Sequence, residues 1–334
     1  MSPTQTMTAA VVDSRDGPFT LQAVARPTPG PGAVLVRVEA SGLNPLDLKI
    51  RAEQAAHARN PLPAVLGMDV AGEVEAVGAG VEGFAPGDRV YGLIGGVGGL
   101  QGAHAQYVSV DARLLAKRPA NLDARAAAAL PLVAITAWEG LVDRAQIRPG
   151  QTVLVQGGAG GVGHLAVQIA LAKGARVYAT ALGEEDQTYL RGLGAVAIDG
   201  ARSVEDYVAE HTAGAGFEVV YDTGGGVLLD ASFQAVKRFG HVVSCLGWGV
   251  HALAPLSFKQ ATYSGVFTLQ PLLSGEGRRH FGEILTEVAA LADSGLLKPR
   301  LHAGRFGLDA LDAAYGTLAS GRAGGKVVVD VAHP

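Results

Sequence analysis

The segment Gly158-Ala159-Gly160-Gly161-Val162-Gly163 constrains this chain more than any other. It has the spacing G-x-G-x-x-G. A strand-like run, Thr152-Val153-Leu154-Val155, precedes it, and a helix-forming run from His164 to Lys173 follows. In that setting the pattern reads as a dinucleotide-binding turn. Gly158 is expected to permit the tight bend, Gly160 to let the backbone approach a pyrophosphate, and Gly163 to let helix pack on strand. The helix start offers unpaired N–H groups and partial positive charge to phosphates. The alternative is a merely structural turn, and the surrounding strand–helix alternation weighs against it.

That alternation continues. Gly174 is placed to end the first helix. Arg176–Thr180, Ala195–Ile198, Glu218–Tyr221 and His241–Ser244 read as further strands. Buried β-branched strands alternating with helices predict a parallel sheet covered on both faces. The first third is instead β-rich, with strands at Val34–Ala40, Val70–Gly78 and Arg89–Tyr91. Gly92 to Gly102 reads as a long loop, either a surface connection or substrate-facing. Arg125 to Leu141 reads as one helix. Phe281 to Asp293 reads as another, ahead of a final strand Lys326–Val331.

A length of 334 residues suggests two domains. The net charge of -4 argues against nucleic acid or an acidic membrane as partner. The single cysteine, Cys245, excludes an intramolecular disulfide and a thiolate metal cluster. The start of the chain lacks a signal-peptide pattern. The apolar run Ala126–Trp138 falls short of the ~20 residues that span a bilayer, and Pro131 interrupts it. A soluble, cytoplasmic protein is expected.

Binders of NAD usually carry an acid at the end of the second strand, for the ribose hydroxyls. Here that strand ends Thr180-Ala181-Leu182-Gly183, which favours NADP. Glu184, Glu185 and Asp186 follow at once and weaken the preference.

Several segments carry a resemblance. They are Val38-Glu39-Ala40-Ser41-Gly42-Leu43-Asn44-Pro45-Leu46-Asp47, Gly67-Met68-Asp69-Val70-Ala71-Gly72, Gly87-Asp88-Arg89-Val90, Ala128-Ala129-Leu130-Pro131, Thr136-Ala137-Trp138, the glycine turn and Gly325-Lys326-Val327-Val328-Val329. With them the chain resembles the medium-chain dehydrogenase/reductase superfamily, in its quinone oxidoreductase branch. The resemblance implies an α/β fold of two domains. A GroES-like β-rich catalytic domain covers residues 1–128 and is completed by residues 270–334. A Rossmann doubly wound parallel-sheet domain covers 129–269. It implies an active site in the cleft between them, and a homodimer pairing through the Rossmann sheet edge. Where zinc-dependent relatives have a cysteine and Gly-His-Glu, this chain has Asn44 and Gly67-Met68-Asp69, so no zinc or other metal is expected.

Without a Lewis acid, conjugated acceptors are the easier substrates. The expected activity is hydride transfer from NADPH to a quinone or other conjugated carbonyl. Asn44, Asp47 and Tyr91 are the catalytic candidates. The cofactor candidates are Thr136, the turn from Gly158 to Gly163, Thr180, Asp222, Thr223, Leu246, Gly247, Phe267, Thr268, Leu269 and Lys326. Many of these lie at strand ends, which face the ligand in doubly wound sheets. His104 is a weaker candidate acid, and Trp248 a candidate pocket wall. Some family features are missing. Asp186 stands where a helix lysine is common, Gly200 where a tyrosine is common, and Leu48 and Lys49 where tyrosines follow the Asn44 segment. The rival readings are an enoyl-thioester reductase and a non-catalytic NADPH sensor or RNA-binding, crystallin-like protein.

Overall fold

The structure is a computed structural model and describes residues 5–331. The chain divides into two compact units. One comprises the residues up to Leu132 with those from Leu269 onward, and the other is Val133–Thr268.

The second unit is built on six parallel strands. In chain order they are Thr152–Gln156, Arg176–Ala181, Val196–Asp199, Phe217–Asp222, Val236–Ser244 and Thr262–Gly265. In space the third, second, first, fourth, fifth and sixth lie side by side. This is the doubly wound order: every strand runs the same way, and the order in which strands are added reverses between the first and fourth. Val153, Leu154 and Val155 are fully buried, as in a sheet covered on both faces. Leu154, Val220 and Val242 pack with Phe217, Leu229 and Phe233 in one apolar cluster. The sixth strand was not foreseen. Only four residues long, it carries too little periodicity to stand out.

The helix expected over Arg125–Leu141 is broken. Ala124–Ala128 forms one short helix and Pro131–Trp138 the next. Pro131 has no N–H to give, and it disfavours helical geometry at Leu130. The second helix continues into a π-helical turn, Glu139–Arg144.

The first unit has a three-stranded sheet, ordered Phe19–Ala25, Thr6–Val12, Ala64–Val65. Its seven-stranded sheet centres on Ala33–Gly42, which pairs antiparallel with Asp69–Val77, Tyr107–Asp111 and the late strand Val328–Asp330. The last segment therefore returns to complete the sheet begun by the first. The Gly92–Gly102 segment is buried at Ile94, Val97 and Gly102, and exposed at its tip, Gly98 and Gly99. An added Cβ on Gly102 would lie 2.2 Å from the Leu66 carbonyl oxygen, so the loop threads through packed backbone. No helix among the described residues is long and apolar enough to cross a membrane.

Candidate functional site

In the second unit the glycine turn follows Thr152–Gln156 and opens the helix Gly163–Ala172. The bend falls one residue earlier than expected. Gly157 takes the left-handed conformation, at φ 73°, rather than Gly158. Gly158 is needed for closeness instead, since a Cβ there would lie 2.7 Å from the Ala179 methyl. A Cβ on Gly163 would meet the Gly157 carbonyl oxygen at 2.1 Å. At Gly160 the nearest atom is that same oxygen, at 3.3 Å. The outer side of Gly160 is thus open to a ligand. Among the described residues no acceptor is paired with the N–H groups of Ala159, Gly161 or Val162. Such groups at a helix start suit a diphosphate.

Buried side chains set the turn from below. The Thr180 hydroxyl accepts the Gly157 N–H at 3.0 Å and donates to Gln156 Oε1 at 2.8 Å. The Gln156 amide donates to the Tyr207 hydroxyl at 3.1 Å. On the other side Thr223 donates to the Gln156 carbonyl at 2.7 Å. Thr180 and Thr223 therefore support the turn. Sequence reasoning missed Gln156 and Tyr207. The available signal was a glutamine ending an apolar strand, where a buried amide requires partners.

Beyond the second strand Leu182 is 71% exposed, where an NAD binder would place an acid. Glu184, Glu185 and Asp186 fill the first turn of the next helix, and Arg191 is ion-paired with Glu184. The Asp222 carboxylate accepts the N–H groups of Gly224 and Gly225 and the Ser244 hydroxyl, and so ties two strand ends together. Leu246 N–H donates to that Ser244 hydroxyl at 3.0 Å. Gly247 leaves room for the Tyr263 hydroxyl, 2.2 Å from where its Cβ would be. Trp248 is 56% exposed, edge-on to Phe267. Burial pushes the Cys245 thiol up to about 12, so it is no nucleophile. The Thr136 and Thr268 hydroxyls share a hydrogen bond of 3.0 Å, and Thr268 donates to Glu139 at 2.6 Å. The Thr136 carbonyl accepts the Tyr221 hydroxyl at 2.7 Å. That insertion into the helix ladder accompanies the π turn.

In the first unit a buried polar cluster forms around Asn44. Asn44 caps the helix Pro45–Arg51, with Pro45 at its first position. Asp47, at the third, accepts the Asn44 backbone N–H at 2.9 Å. The Asn44 side-chain amide donates to Asp69 at 2.9 Å. Lys326 donates to Asn44 Oδ1 at 2.6 Å and to the Leu43 carbonyl at 2.9 Å. Its ammonium stands 3.7 Å from the Asp69 carboxylate, whose other oxygen accepts the Leu132 N–H. Asn44, Asp47 and Asp69 are essentially inaccessible, and Lys326 is 7% exposed. The expected cofactor contact Lys326 thus spends its donors within this cluster. Leu269 begins the segment that returns to this unit.

Burial dominates the electrostatics here. It raises the Asp69 carboxyl and lowers the Lys326 ammonium, and their mutual attraction opposes both shifts. It pushes Asp47 up to about 7, against the lowering effect of the Asn44 N–H and of the Tyr315 hydroxyl beside it. Asp47 Oδ1 has no partner among the described residues.

Two further candidates are tied into the interior of this unit. Tyr91 is fully buried, its hydroxyl donates to the Leu285 carbonyl at 2.5 Å, and burial raises its pKa. It braces the helix Arg278–Asp293. His104 is buried under Gly67, 2.8 Å from the Tyr315 hydroxyl, and burial lowers it to about 3. Arg51 pairs with Asp312 at 2.7 Å, near the surface.

Among the described residues no group of three or more His, Cys, Asp or Glu could hold a metal ion. Asn44, Met68, Asp69 and Lys326 do not fit zinc. An amide and a buried thioether replace good ligands, and the Lys326 ammonium already holds the cationic place.

A family profile described as Alcohol dehydrogenase GroES-like domain matches residues 30–120, and one described as Zinc-binding dehydrogenase matches residues 161–289. The chain is similar to a 2-methylene-furan-3-one reductase of Solanum lycopersicum. They are 36% identical over 90% of this chain and 71% of that protein. It is similar, at 35% identity over 89% of this chain and 71% of the relative, to an NADPH-dependent alkenal/one oxidoreductase, chloroplastic, of Arabidopsis thaliana. A crystal structure of an alcohol dehydrogenase superfamily protein from Novosphingobium aromaticivorans matches with TM-score 0.97 and 63% identity, over 98% of this chain and all of that one.

Proposed function

Because this chain belongs to the medium-chain dehydrogenase/reductase superfamily, we propose that it reduces conjugated carbonyl compounds, enones and quinones, with NADPH and without zinc. The observation that carries this reading is the donor set around Asn44. An amide, a carboxylate and an ammonium offer hydrogen bonds and no seat for a Lewis acid. An acceptor here has to be activated by its own conjugation. Two relatives named as reductases of such compounds support the same class.

Bound NADPH supplies the hydride. The N–H groups of Ala159, Gly161 and Val162 and the helix start at Gly163 would hold its diphosphate. The absence of an acid at Ala181-Leu182-Gly183 leaves a 2′-phosphate unopposed by the strand end, which favours NADPH. An Asn44 side-chain N–H donates to the acceptor's carbonyl oxygen as enolate charge develops. The Asp47 carboxyl, which burial pushes up to about 7, holds a proton for the carbon next to the one that takes the hydride. The reading includes a cytoplasmic homodimer. Thr262–Gly265 is an edge strand, and Trp248, Val250, Leu253 and Phe258 are exposed near it in sequence.

The experiment is NADPH oxidation by the purified chain against a panel of enones, quinones and enoyl thioesters. Turnover with enones or quinones is expected, and Asn44→Ala should lower kcat by roughly a hundredfold. Tight NADPH binding with no turnover on any acceptor overturns the proposal.

A further inference from the structure

We propose that Lys326 and Asp69 are positioning residues which lock the Asn44 side-chain amide in one orientation, so that it presents an N–H and never an oxygen to its ligand; this rests on the reading of Asn44 as the donor.

Lysine can only donate, and it lies 2.6 Å from one end of the amide, which must therefore be Oδ1. An ionised carboxylate can only accept, and Asp69 lies 2.9 Å from the other end, which must be Nδ2. Turning the amide over would set NH₂ against an ammonium and oxygen against a carboxylate. Both contacts would be repulsive, in a cluster with almost no access to water. The lock is itself held. Leu43 carbonyl takes a second Lys326 proton, Leu132 N–H fixes Asp69 Oδ1, and the Ser41 hydroxyl donates to the Asp69 carbonyl at 2.9 Å. Asn44 Nδ2 carries two hydrogens, and Asp69 takes one. No acceptor among the described residues takes the second. An unlocked amide would sample both orientations, and one of them opposes a developing enolate with its own oxygen.

Two measurements on the full chain test this. In the first, Lys326→Met is compared with wild type. The expected result is a fall in kcat of about tenfold to a hundredfold, with the NADPH dissociation constant within about twofold. Turnover within about twofold of wild type overturns the lock. The second needs no substrate. Asn44→Asp sets two carboxylates against each other and lowers the melting temperature. Adding Asp69→Asn restores an amide–carboxylate pair with its poles exchanged. The double variant should regain most of the lost melting temperature and still show no turnover, because a carboxylate at position 44 has no N–H to give. A double variant as unstable as Asn44→Asp alone overturns the lock. If wild type reduces no acceptor, the functional reading falls, and the melting order still decides for or against the lock.

Discussion

The Asp47 carboxylate accepts the backbone N–H of Asn44 at 2.9 Å, and neither side chain has measurable contact with solvent beyond 1%. A carboxyl so placed ionises reluctantly. Its value of about 7 lies far above the 3.8 of an unfolded chain.

The sign of the resulting pH dependence follows from proton counts. Between about pH 4 and pH 7 the folded chain keeps the Asp47 proton and the unfolded chain does not. This group's contribution is therefore fully present below the unfolded value and is lost as pH rises through about 7. Urea unfolding of wild type and Asp47→Asn, at pH 5 and at pH 8, isolates it. Wild type should lose more stability than the variant on going to pH 8. Equal losses would show that Asp47 is already ionised at pH 5.

Two glycines of the turn should respond differently to one methyl group. Gly163→Ala drives a Cβ toward the Gly157 carbonyl, so the turn must open, and NADPH affinity should fall on the order of tenfold or more. Gly160→Ala meets only a 3.3 Å contact within the protein, so its melting temperature should stay near wild type. Fluorescence titration with NADPH and a melting curve for each variant measure both effects. An unchanged affinity in Gly163→Ala would move the dinucleotide away from this turn.

Tyr91→Phe removes a hydrogen bond to Leu285 deep in the first unit. The expected cost is about 1 kcal/mol of unfolding free energy, with kcat unaltered. A large loss of kcat at normal stability would return Tyr91 to the list of proton donors.

Val250 is wholly exposed and Phe258 is 83% exposed. As surface positions they should tolerate Val250→Lys and Phe258→Glu with little change in melting temperature. Light scattering should give twice the chain mass for wild type and the single chain mass for the double variant. A single chain mass for wild type sinks the dimer.

What the sequence displayed was local. The Gly158–Gly163 spacing, the strand Thr152–Gln156 and the helix after it are neighbours, so their roles show in order and period. The break at Leu130 was also written there, in Pro131, but an alanine-rich run on either side concealed it. Partnerships across long separations could not be read. Lys326 looked like a ligand contact at the end of a motif, and only the returning strand reveals it as the partner of Asn44, 282 positions away. Tyr91 and His104 are of catalytic residue type, and the sequence hides that their polar atoms meet Leu285 and Tyr315 on distant elements. Gln156 passed unnoticed because its use depends on Thr180 and Tyr207 arriving from two later elements.

The interrupted course of the first unit bears on how the protein is made. Val133–Thr268 is one unbroken stretch and leaves the ribosome with all the partners it needs. The earlier β-rich portion does not. Asp69 emerges without its counter-charge and Asn44 without the donor to its Oδ1, and the Leu43 N–H lacks the Val327 carbonyl it finally binds. Both wait until nearly the whole chain has been synthesised. A nascent chain halted short of Lys326 would hold a complete second unit and, in the first, an apolar sheet with an open seam. That is the species a chaperone would have to shield.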